Sequence, residues 1–433
     1  MIVVVSSRAL KLLIVLLIAA APAVALRAAC EGRACNEPEE ASADAPFCSL
    51  PPRIRNLIER GFRDGRAPDI LGVTGDAVLT TGDGARWPSI SDPATEVPIV
   101  FAGAGVDREA AVPEGTRVDA IAPTLAEIMG LRRPHPEVRS GRAIPGVASS
   151  GTPSLVLLVA LKGVGSTEAE EIESLQDLLE NGAGTATGDT GSLPADPVAV
   201  MTSIGAGGLP YQHGVTAALI RTDEGRVTTA WGRRSPVSVI AALGDDLDQQ
   251  LDQRPLIGLV GTEAGDRGLI GGNWYLDVDR DEVVLDPDGA RGAERVLARG
   301  FGRDDTTDLL AVALEGPPRK VDMDLRRLIA LATRRTGRGS LTVVVAGTGS
   351  AAPPGGATEA DVVESIESEL SGSARVIAAP SAGGFFLDQR TLSREQIAQD
   401  EILDAMRSTR TTSGEPLFAD LFSGFAISFA RFC

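Results

Sequence analysis

The feature that most restricts the fold is a series of short apolar runs that alternate with segments of helical periodicity. The clearest run spans residues 154–161, S-L-V-L-L-V-A-L, and similar runs occur at residues 256–260, 309–314 and 341–346. Near-continuous apolar runs of this length are typical of strands that are buried on both faces. Their alternation with helices predicts an α/β fold, with a largely parallel sheet covered by helices on both faces.

The segments between these runs carry the helix signals. A helix is predicted from Thr167, with a capping box that uses Glu170 and an apolar face that includes Ile172 and Leu175. Further helices are predicted at residues 54–62, 122–129, 236–251, 322–335, 359–370 and 394–406, and further strands at 69–73, 77–80, 97–102, 216–220 and 375–378. In contrast, the glycines and small residues of 201–214, M-T-S-I-G-A-G-G-L-P-Y-Q-H-G, predict a loop.

The start of the chain predicts export. Residues 1–29 combine the basic residues Arg8 and Lys11, an apolar stretch and a small-x-small cleavage site at 23–25, which together indicate a secretory signal peptide. A retained membrane anchor is the alternative, because the apolar run is close to the shortest that spans a bilayer. After cleavage we expect a secreted or cell-envelope protein outside the cytoplasm, without a stable membrane span.

The four cysteines, Cys30, Cys35, Cys48 and Cys433, all follow this signal. An even number of cysteines in an exported chain indicates two disulfides, and three pairings are possible. Pairing of Cys30 with Cys35 closes a short local loop and leaves Cys48 to pair with Cys433, which is the connectivity we predict.

The composition of the remaining chain suggests four segments. Residues 30–48 are expected to form a flexible leader, residues 49–146 a first α/β segment, residues 147–153 a linker and residues 154–433 the main core. We expect 49–146 and the core to form one compact unit.

Charge and histidine content exclude several classes of function. The formal net charge is −18, which makes nucleic acid an improbable partner because phosphate binding needs a basic face. The only histidines are His135 and His213, so a three-histidine zinc site within one chain is impossible. A Ser-His-Asp triad would have to use one of the two, and no G-x-S-x-G turn exists to present its serine.

Two residues stand out as candidates for ligand binding. Lys162 directly follows the apolar run 154–161, where an unpaired buried ammonium is costly. It is either a cation that faces an anionic ligand or a lysine whose stem packs while its charge reaches solvent. His213 lies in P-Y-Q-H-G and is a candidate ligand-binding residue, a base or a structural hydrogen-bonding group.

Two motifs resemble a known family. Residues 202–214, T-S-I-G-A-G-G-L-P-Y-Q-H-G, resemble the segment after the nucleophile in the alkaline phosphatase superfamily, especially in type I phosphodiesterases and nucleotide pyrophosphatases. Residues 118–134, V-D-A-I-A-P-T-L-A-E-I-M-G-L-R-R-P, are similar to the C-terminal region of that family. The resemblance covers most of residues 49–350 and implies an alkaline-phosphatase-like core.

The order of the two motifs is the reverse of the order in the family. The segment that resembles the family's C-terminal region comes first in this chain, which implies a circular permutation. Such a rearrangement is physically reasonable because the termini of a domain often lie close together. The Cys48–Cys433 disulfide would then restrain the new ends.

The resemblance also implies that the family's two-metal site is degenerate. The position of the first aspartate ligand holds Lys162, the nucleophile position falls near Asp196, and the aspartate–histidine pair becomes Gly347 and Thr348. The final histidine is replaced near Trp87. His213 matches a histidine that is not a ligand in the family, so the required metal-ligand histidines are missing.

These observations lead to two functional hypotheses. The first is an exported, non-catalytic member of the superfamily without metal or other cofactor, which binds a small anionic ligand or an envelope protein through Lys162 and His213. The second is a phosphodiesterase- or phosphatase-like hydrolase with an altered mechanism, in which Ser192 or Thr202 is the nucleophile and Lys162 the base.

Overall fold

The chain was analysed as a computed structural model, which describes residues 47–428 except 83–84, 92–93, 233–237, 273, 276–279, 353–355, 371–374 and 412. Residues Pro46–Ala430 form one compact unit. The predicted signal peptide and almost all of the predicted leader lie outside the described residues. Residues 147–153, predicted as a linker, begin with a buried valine, and the backbone of Val147 accepts a hydrogen bond from Asp107 N at 2.9 Å.

Strands are numbered in chain order: β1 Ile70–Thr74, β2 Leu79–Thr80, β3 Glu96–Gly103, β4 Leu155–Lys162, β5 Ala183–Asp189, β6 Leu219–Arg221, β7 Val227–Thr229, β8 Ile257–Gly261, β9 Glu282–Leu285, β10 Asp308–Glu315, β11 Leu341–Gly347, β12 Ala357–Thr358, β13 Ile377–Ser381, β14 Gly384–Leu387 and β15 Phe418–Ser423.

The α-helices are α1 Pro52–Gly61, α2 Ile121–Met129, α3 Ser166–Ala169, α4 Glu173–Asn181, α5 Pro197–Ala206, α6 Pro210–His213, α7 Leu243–Gln250, α8 Gly289–Leu297, α9 Pro318–Thr336, α10 Glu359–Glu369, α11 Gln389–Glu395, α12 Gln399–Ser408 and α13 Gly424–Ser428. Short 3-10 helices span Val118–Ala120, Pro136–Val138, Ala264–Leu269 and Arg338–Ser340.

A seven-stranded sheet with the order β5-β3-β11-β4-β10-β8-β9 forms the centre of the fold. The pairs on both sides of β4, and those of β8 with β10 and β9, are parallel. Strand β3 is antiparallel to both of its neighbours. The prediction of an α/β fold with a largely parallel sheet is therefore confirmed.

Alternation along β4 divides the apolar core into two layers. Val156, Leu158 and Ala160 contribute to the cluster that includes residues of α2, α5 and α7, whereas Leu157 and Val159 contribute to the cluster that includes α4, α8 and α9. This follows from the period of two residues along a strand. The central sheet is thus covered by helices on both faces, as predicted.

A second sheet of four antiparallel strands, β13-β14-β1-β15, was not predicted from the sequence. Its core contains Phe385, Phe418 and Leu421, together with residues of α10 and α12. Strand β1 comes from the first segment and its neighbours come from the end of the chain, so the two parts share one sheet. The sequence does not indicate this sheet because β14 and β15 are short and pair with β1, which is distant in sequence.

Three local predictions are wrong. The helix predicted from Thr167 is two helices, α3 and α4, and the acid that accepts the backbone N–H of Gly165 is Glu168, at 2.9 Å, rather than Glu170. The helix predicted at 394–406 is also divided, because Gln396 has a left-handed conformation at the end of α11. The helix predicted at 236–251 begins later, at Leu243.

The segment predicted as a loop, residues 201–214, is largely helical. It begins inside α5, whose residues from Val198 to Ala206 are all buried. A side chain at Gly205 would place its Cβ 2.2 Å from the backbone oxygen of Gly268. Gly205 therefore allows the buried helix to pack closely against the 3-10 helix Ala264–Leu269, where a residue with a side chain would not fit.

Cys48 lies within the described part of the chain and is disulfide-bonded. The other three cysteines lie outside it, so the pairings Cys30–Cys35 and Cys48–Cys433 stay predictions. No helix of the described residues is long and apolar enough to span a membrane.

The central sheet provides a matched test of the core. Leu310 of β10 is completely buried, whereas Leu285 of β9 is 54% exposed. We expect Leu310→Ala to lower the free energy of unfolding by about 2–5 kcal/mol, because it removes buried apolar contacts and leaves a cavity. Leu285→Ala should change it by less than about 1 kcal/mol. Urea denaturation measures both values, and equal effects would contradict the assigned sheet order.

Candidate functional site

The strand register brings the candidate lysine to an acidic edge of the sheet. Lys162 at the end of β4 pairs in register with Glu315 at the end of β10. Strand β8 ends at Gly261 beside them, and Thr262 and Glu263 follow it directly. Because these strands are parallel, their carboxyl ends meet at one edge, which is where ligands bind in open α/β sheets.

The Lys162 ammonium is surrounded by carboxylates. Its Nζ lies 2.6 Å from Glu263 Oε1 and 3.4 Å from both Asp266 Oδ1 and Glu315 Oε2. It also donates to Thr262 Oγ1 at 3.1 Å. The side chain of Lys162 is only 8% exposed, and that of Asp266 is completely buried. We call Lys162, Glu263, Asp266 and Glu315 the lysine cluster.

The position of Lys162 follows from the alternation along β4. Ala160, two residues earlier, lies in the core layer of α2 and α5, and so does Ala313, two residues before Glu315. Lys162 and Glu315 therefore continue the same face of two neighbouring strands. Asp266 comes to this face because the 3-10 helix Ala264–Leu269 packs closely against α5.

Electrostatics keep Lys162 charged. Burial alone lowers the pKa of a lysine, but the charge of Asp266, the hydrogen bond to Glu263 and the charge of Glu315 outweigh it and raise the pKa of Lys162 well above its ordinary value. An ammonium with a raised pKa cannot accept a proton at neutral pH. The role of general base, which the second hypothesis gives to Lys162, is therefore incompatible with this environment.

Asp266 fixes the shape of the turn after β8. Its Oδ2 accepts the backbone N–H groups of Thr262 at 2.7 Å and Glu263 at 3.2 Å. Its Oδ1 faces Lys162 and has no hydrogen-bond partner among the described residues. One carboxylate thus connects the turn to the lysine, and the two form a single structural unit.

A cleft of about 490 Å³ opens beside the lysine cluster. Its polar lining includes Lys162, Asp196, Glu263, Glu315 and Ser350. With one ammonium against three carboxylates, the lysine cluster has a formal charge of −2. The positive charge of Lys162 is therefore offset before any ligand arrives.

Asp196 lines the cleft but has a structural role at the start of α5. Its Oδ1 accepts the N–H groups of Val198 at 2.9 Å and Ala199 at 3.3 Å, and Pro197 occupies the first helical position. This is an N-cap, in which the carboxylate satisfies backbone groups that a helix start leaves unpaired. The structure thus brings Lys162 and Asp196 to one cleft.

Gly347 and Thr348 lie behind the wall of the cleft. A Cβ at Gly347 would lie 2.2 Å from the backbone oxygen of Val164, so this position tolerates no side chain. Thr348 is buried, and its Oγ1 accepts the N–H of Gly163 at 3.1 Å. Both residues pack against the turn that follows Lys162. In this segment, Gly349 is the first residue that lines the cleft.

Trp87 does not line the cleft. Its ring is buried against Phe385 and Phe418, and its Nε1 donates to Glu359 Oε1 at 2.9 Å. The neighbouring Ala85 and Arg86 do line the cleft. The segment around Trp87 therefore reaches the site, while the indole belongs to the core of the second sheet.

Neither fallback nucleophile lines the cleft. Ser192 is fully buried, and its Oγ has no hydrogen-bond partner among the described residues. Thr202 is also fully buried inside α5, where its Oγ1 donates to the backbone oxygen of Val198 at 2.8 Å and accepts from Trp231 Nε1 at 3.2 Å. Neither hydroxyl group is therefore exposed to the cleft.

His213 forms a buried pair with Ser203 rather than binding a ligand. The N–H of Val215 donates to its Nδ1 at 3.1 Å, so its Nε2 carries the hydrogen and donates to Ser203 Oγ at 3.0 Å. Ser203 Oγ in turn donates to the backbone oxygen of Ala199 at 3.0 Å. The imidazole cannot take a proton from this serine, and the predicted ligand-binding role of His213 finds no support in its contacts.

Sequence reasoning missed the acidic members of the site. Thr262 and Glu263 follow the predicted strand 256–260 after a single glycine, and Glu315 directly follows the predicted strand 309–314. The signal was present, because polar residues at the ends of neighbouring parallel strands meet. Asp266 had no such signal, since its position depends on the packing of a short 3-10 helix.

The donor set does not fit the divalent metals of the family. Among the described residues, no group of three or more histidine, cysteine, aspartate and glutamate side chains has the geometry to hold a metal ion. The three carboxylates that converge at the sheet edge converge on the Lys162 ammonium, which would repel a divalent cation.

Comparisons with known proteins reveal similarity in three-dimensional structure only. No family model and no curated protein matches the chain. Among solved structures, wild-type alkaline phosphatase PafA aligns with 60% of this chain and 77% of its own, with 13% identity and a TM-score of 0.44. A mutant of PafA aligns over the same shares with 12% identity and a TM-score of 0.43.

A phosphonoacetate hydrolase from Sinorhizobium meliloti 1021 aligns with 61% of this chain and 76% of its own, with 13% identity and a TM-score of 0.37. We transfer no residue role from these structures to this chain.

The lysine cluster predicts a specific loss of stability. Lys162→Met removes the charge but keeps most of the apolar stem, so that buried Asp266 has no cation. We expect the free energy of unfolding at pH 7 to fall by about 3 kcal/mol, and this deficit to shrink as the pH falls and the carboxylates become protonated.

Lys320→Met is the matched control for that variant. Lys320 is 41% exposed, pairs with Asp324 one helical turn away and donates to the backbone oxygen of Glu315 at 3.0 Å. Because this ammonium is exposed and touches no cluster carboxylate, its loss should cost less than about 1 kcal/mol. Urea denaturation at pH 4.5 and pH 7 compares the two variants. A cost for Lys162→Met that does not depend on pH would count against charge compensation.

The buried histidine predicts a pH dependence of stability. Burial, with a smaller effect of Arg63, lowers the pKa of His213 to about 3. Below about pH 6.5 the unfolded chain binds a proton that the folded chain does not, so the free energy of unfolding falls by up to about 1.4 kcal/mol per pH unit towards pH 3. In His213→Gln this slope should be reduced.

His135→Gln is the control, because the side chain of His135 is 76% exposed. We expect its slope to match that of the unsubstituted protein. The measurement is urea denaturation at intervals between pH 4 and pH 7.5. Equal slopes in all three proteins would show that His213 is not a buried neutral imidazole.

Proposed function

We propose that this chain is an exported member of the alkaline phosphatase superfamily that has lost phosphoryl-transfer chemistry and binds a ligand in its cleft. The two sequence motifs and the mostly parallel central sheet support the superfamily. The signal-like residues 1–29 support export. The cleft at the carboxyl edge of the sheet supports ligand binding, because this edge is the usual ligand site in such folds.

One observation carries the loss of catalysis: the Lys162 ammonium lies among Glu263, Asp266 and Glu315. The resemblance assigns this strand end to a metal-binding aspartate. Here the positive charge of the Lys162 ammonium, held by three carboxylates, stands where the resemblance places a metal ion. The cluster stabilises the strand ends and leaves no set of oxygen ligands for a metal.

The altered-hydrolase alternative has no comparable support. Its proposed base is protonated, and its proposed nucleophiles, Ser192 and Thr202, are buried away from the cleft. Ser203 is the serine that contacts the imidazole of His213. Its hydroxyl group donates a hydrogen bond to the backbone oxygen of Ala199. We therefore favour the non-catalytic function.

The circular permutation belongs to the same proposal. It is supported by the position of β3, which comes from residues 49–146 and lies inside the central sheet between β5 and β11. Strand β1, from the same segment, likewise lies between β14 and β15 from the end of the chain. A segment that supplies interior strands to both sheets is an integral part of the fold wherever it stands in sequence.

The charge of the cleft bears on the ligand. The anionic ligand predicted from Lys162 would meet a lysine cluster with a formal charge of −2. Of the charged residues that line the cleft itself, the cations Lys162 and Arg86 are outnumbered by the carboxylates Asp196, Glu263 and Glu315. We therefore propose that the ligand of the cleft is polar and either neutral or positively charged. Contacts to Ser350 and Thr262 are available to it, since both line the cleft.

The test uses purified protein after signal cleavage. We expect elemental analysis to find no stoichiometric metal, and assays with nitrophenyl phosphate monoesters and diesters to find no turnover with or without added zinc. Stoichiometric zinc together with turnover that Lys162→Ala abolishes would overturn the proposal and show a rebuilt active site.

A further inference from the structure

Two neighbouring helices, α4 and α9, form one continuous surface on the side of the central sheet away from α5. They pack side by side, and Leu175 of α4 and Leu328 of α9 contribute to the same core layer. Helix α4 leads directly into β5 and α9 leads into β11, and these two strands run in the same direction because β3 is antiparallel to both. The two helices therefore run parallel to each other towards the same edge of the sheet.

The outer face of α9 is basic. Its exposed residues follow each other mainly at intervals of three and four, which is the spacing of one helix face. They are Arg319, Met323, Arg326, Arg327, Ala330 and Arg334. The two carboxylates of this helix, Asp322 and Asp324, are partly buried and are not among these exposed residues. Met323 is 65% exposed and adds apolar surface between the arginines.

The outer face of α4 is acidic. Glu173, Asp177 and Glu180 are exposed at intervals of four and three residues, so they also lie on one helix face. The basic and acidic faces meet where Arg326 Nη2 lies 2.7 Å from Glu173 Oε2. This ion pair marks the boundary between a basic stripe on α9 and an acidic stripe on α4.

Most of the charge on the two stripes is available for a partner. Asp177, Glu180, Arg319 and Arg334 form no ion pair with any described residue. Measured from the ion pair between the helices, Arg334 lies eight residues further along α9 and Glu180 seven residues further along α4. At 1.5 Å per residue these separations are about 12 Å and about 10.5 Å, so the two charges lie at nearly the same height on parallel helices.

A surface with a basic stripe beside an acidic stripe is complementary to itself. A two-fold axis along the boundary between α4 and α9 places α9 of one copy opposite α4 of a second copy, and the reverse. Rotation about this axis leaves heights along the helices unchanged. Arg334 of one copy therefore meets Glu180 of the second copy, and this contact occurs twice.

We propose that this protein forms a two-fold homodimer through the outer faces of α4 and α9. An anionic membrane would attract α9 but would be repelled by α4 beside it, whereas a second copy presents both charges at the matching spacing. The formal charge of −18 on each chain opposes association, but at physiological ionic strength the Debye length is about 8 Å, so distant charges are screened while pairs in contact are not. The surface includes no residue of the cleft, so the proposal does not depend on the proposed function.

The first test is sedimentation velocity of the full protein, after signal cleavage, at up to about 100 µM and about 0.15 M salt. We expect a reversible equilibrium between monomer and dimer. Arg334→Glu and Glu180→Arg each place two pairs of like charges in the interface, so each should weaken dimerisation at least about ten-fold. An unsubstituted protein that stays monomeric throughout would overturn the proposal.

Mixing the two variants tests the contact itself. A heterodimer of Arg334→Glu with Glu180→Arg has opposite charges at both contacts, although each variant alone has like charges there. We therefore expect the equimolar mixture to recover the affinity of the unsubstituted protein. A mixture that remains monomeric would contradict the proposed pairing of α9 with α4.

Arg108→Glu and Glu109→Arg are the matched controls. They change the net charge by the same amounts at two exposed positions, whose neighbours Val106 and Ala110 pack against the core layer on the opposite face of the sheet. We expect both controls to dimerise like the unsubstituted protein. Equal weakening in controls and interface variants would overturn the proposal, because the effect would then come from net charge alone.

A second measurement distinguishes the dimer from a membrane contact. In flotation with phosphatidylglycerol vesicles we expect the unsubstituted protein to remain unbound. Vesicle binding that Arg334→Glu abolishes would overturn the proposal, since the basic stripe would then belong to a membrane. Metal content and phosphate-ester turnover are measured separately, so failure of the dimer proposal is distinguishable from failure of the proposed function.

Discussion

The compensated charge of Lys162 is the interaction on which the candidate site depends. A lysine at the end of a completely buried strand is tolerated because three carboxylates from neighbouring elements converge on it. The same contacts hold together the ends of β4, β8 and β10 and the 3-10 helix Ala264–Leu269. The arrangement has the character of an internal ion cluster, which forms part of the scaffold and gives one wall of the cleft a negative potential.

The negative potential extends beyond that wall. Two further cavities adjoin the cleft, and their linings include Asp196 at the start of α5 and Glu359 at the start of α10. The molecule therefore combines a central sheet that is buried on both faces with an edge at which carboxylates gather around a single lysine.

Much of the fold was predictable, and the reasons are local. The strands β4, β8, β10 and β11 are apolar along most of their length, so they could be identified within one or two residues. The buried helix α5 was missed because its glycines signal a loop, although Asp196-Pro197 is a helix-start signal. The second sheet was missed because β1 at its centre pairs with strands more than 300 residues away in sequence.

The candidate site was predictable in part for the same reasons. The position of Lys162 at a strand end could be inferred from the run that precedes it, and so could its proximity to Asp196 through the family motifs. The role of Lys162 could not, because the charge that surrounds it comes from three separate segments. His213 illustrates the converse: its motif suggested function, but its contacts with Val215 and Ser203 are structural.

By itself, the sequence determined the α/β class, the number of histidines available for chemistry and the strand ends at which polar residues would meet. These follow from periodicity and counting, which do not depend on the path of the chain. Only the tertiary structure decided that Lys162 is neutralised by Glu263, Asp266 and Glu315, and that Ser192, Thr202 and His213 are buried away from the cleft. Charge compensation depends on distances between segments that are remote in sequence, and no local pattern encodes those distances.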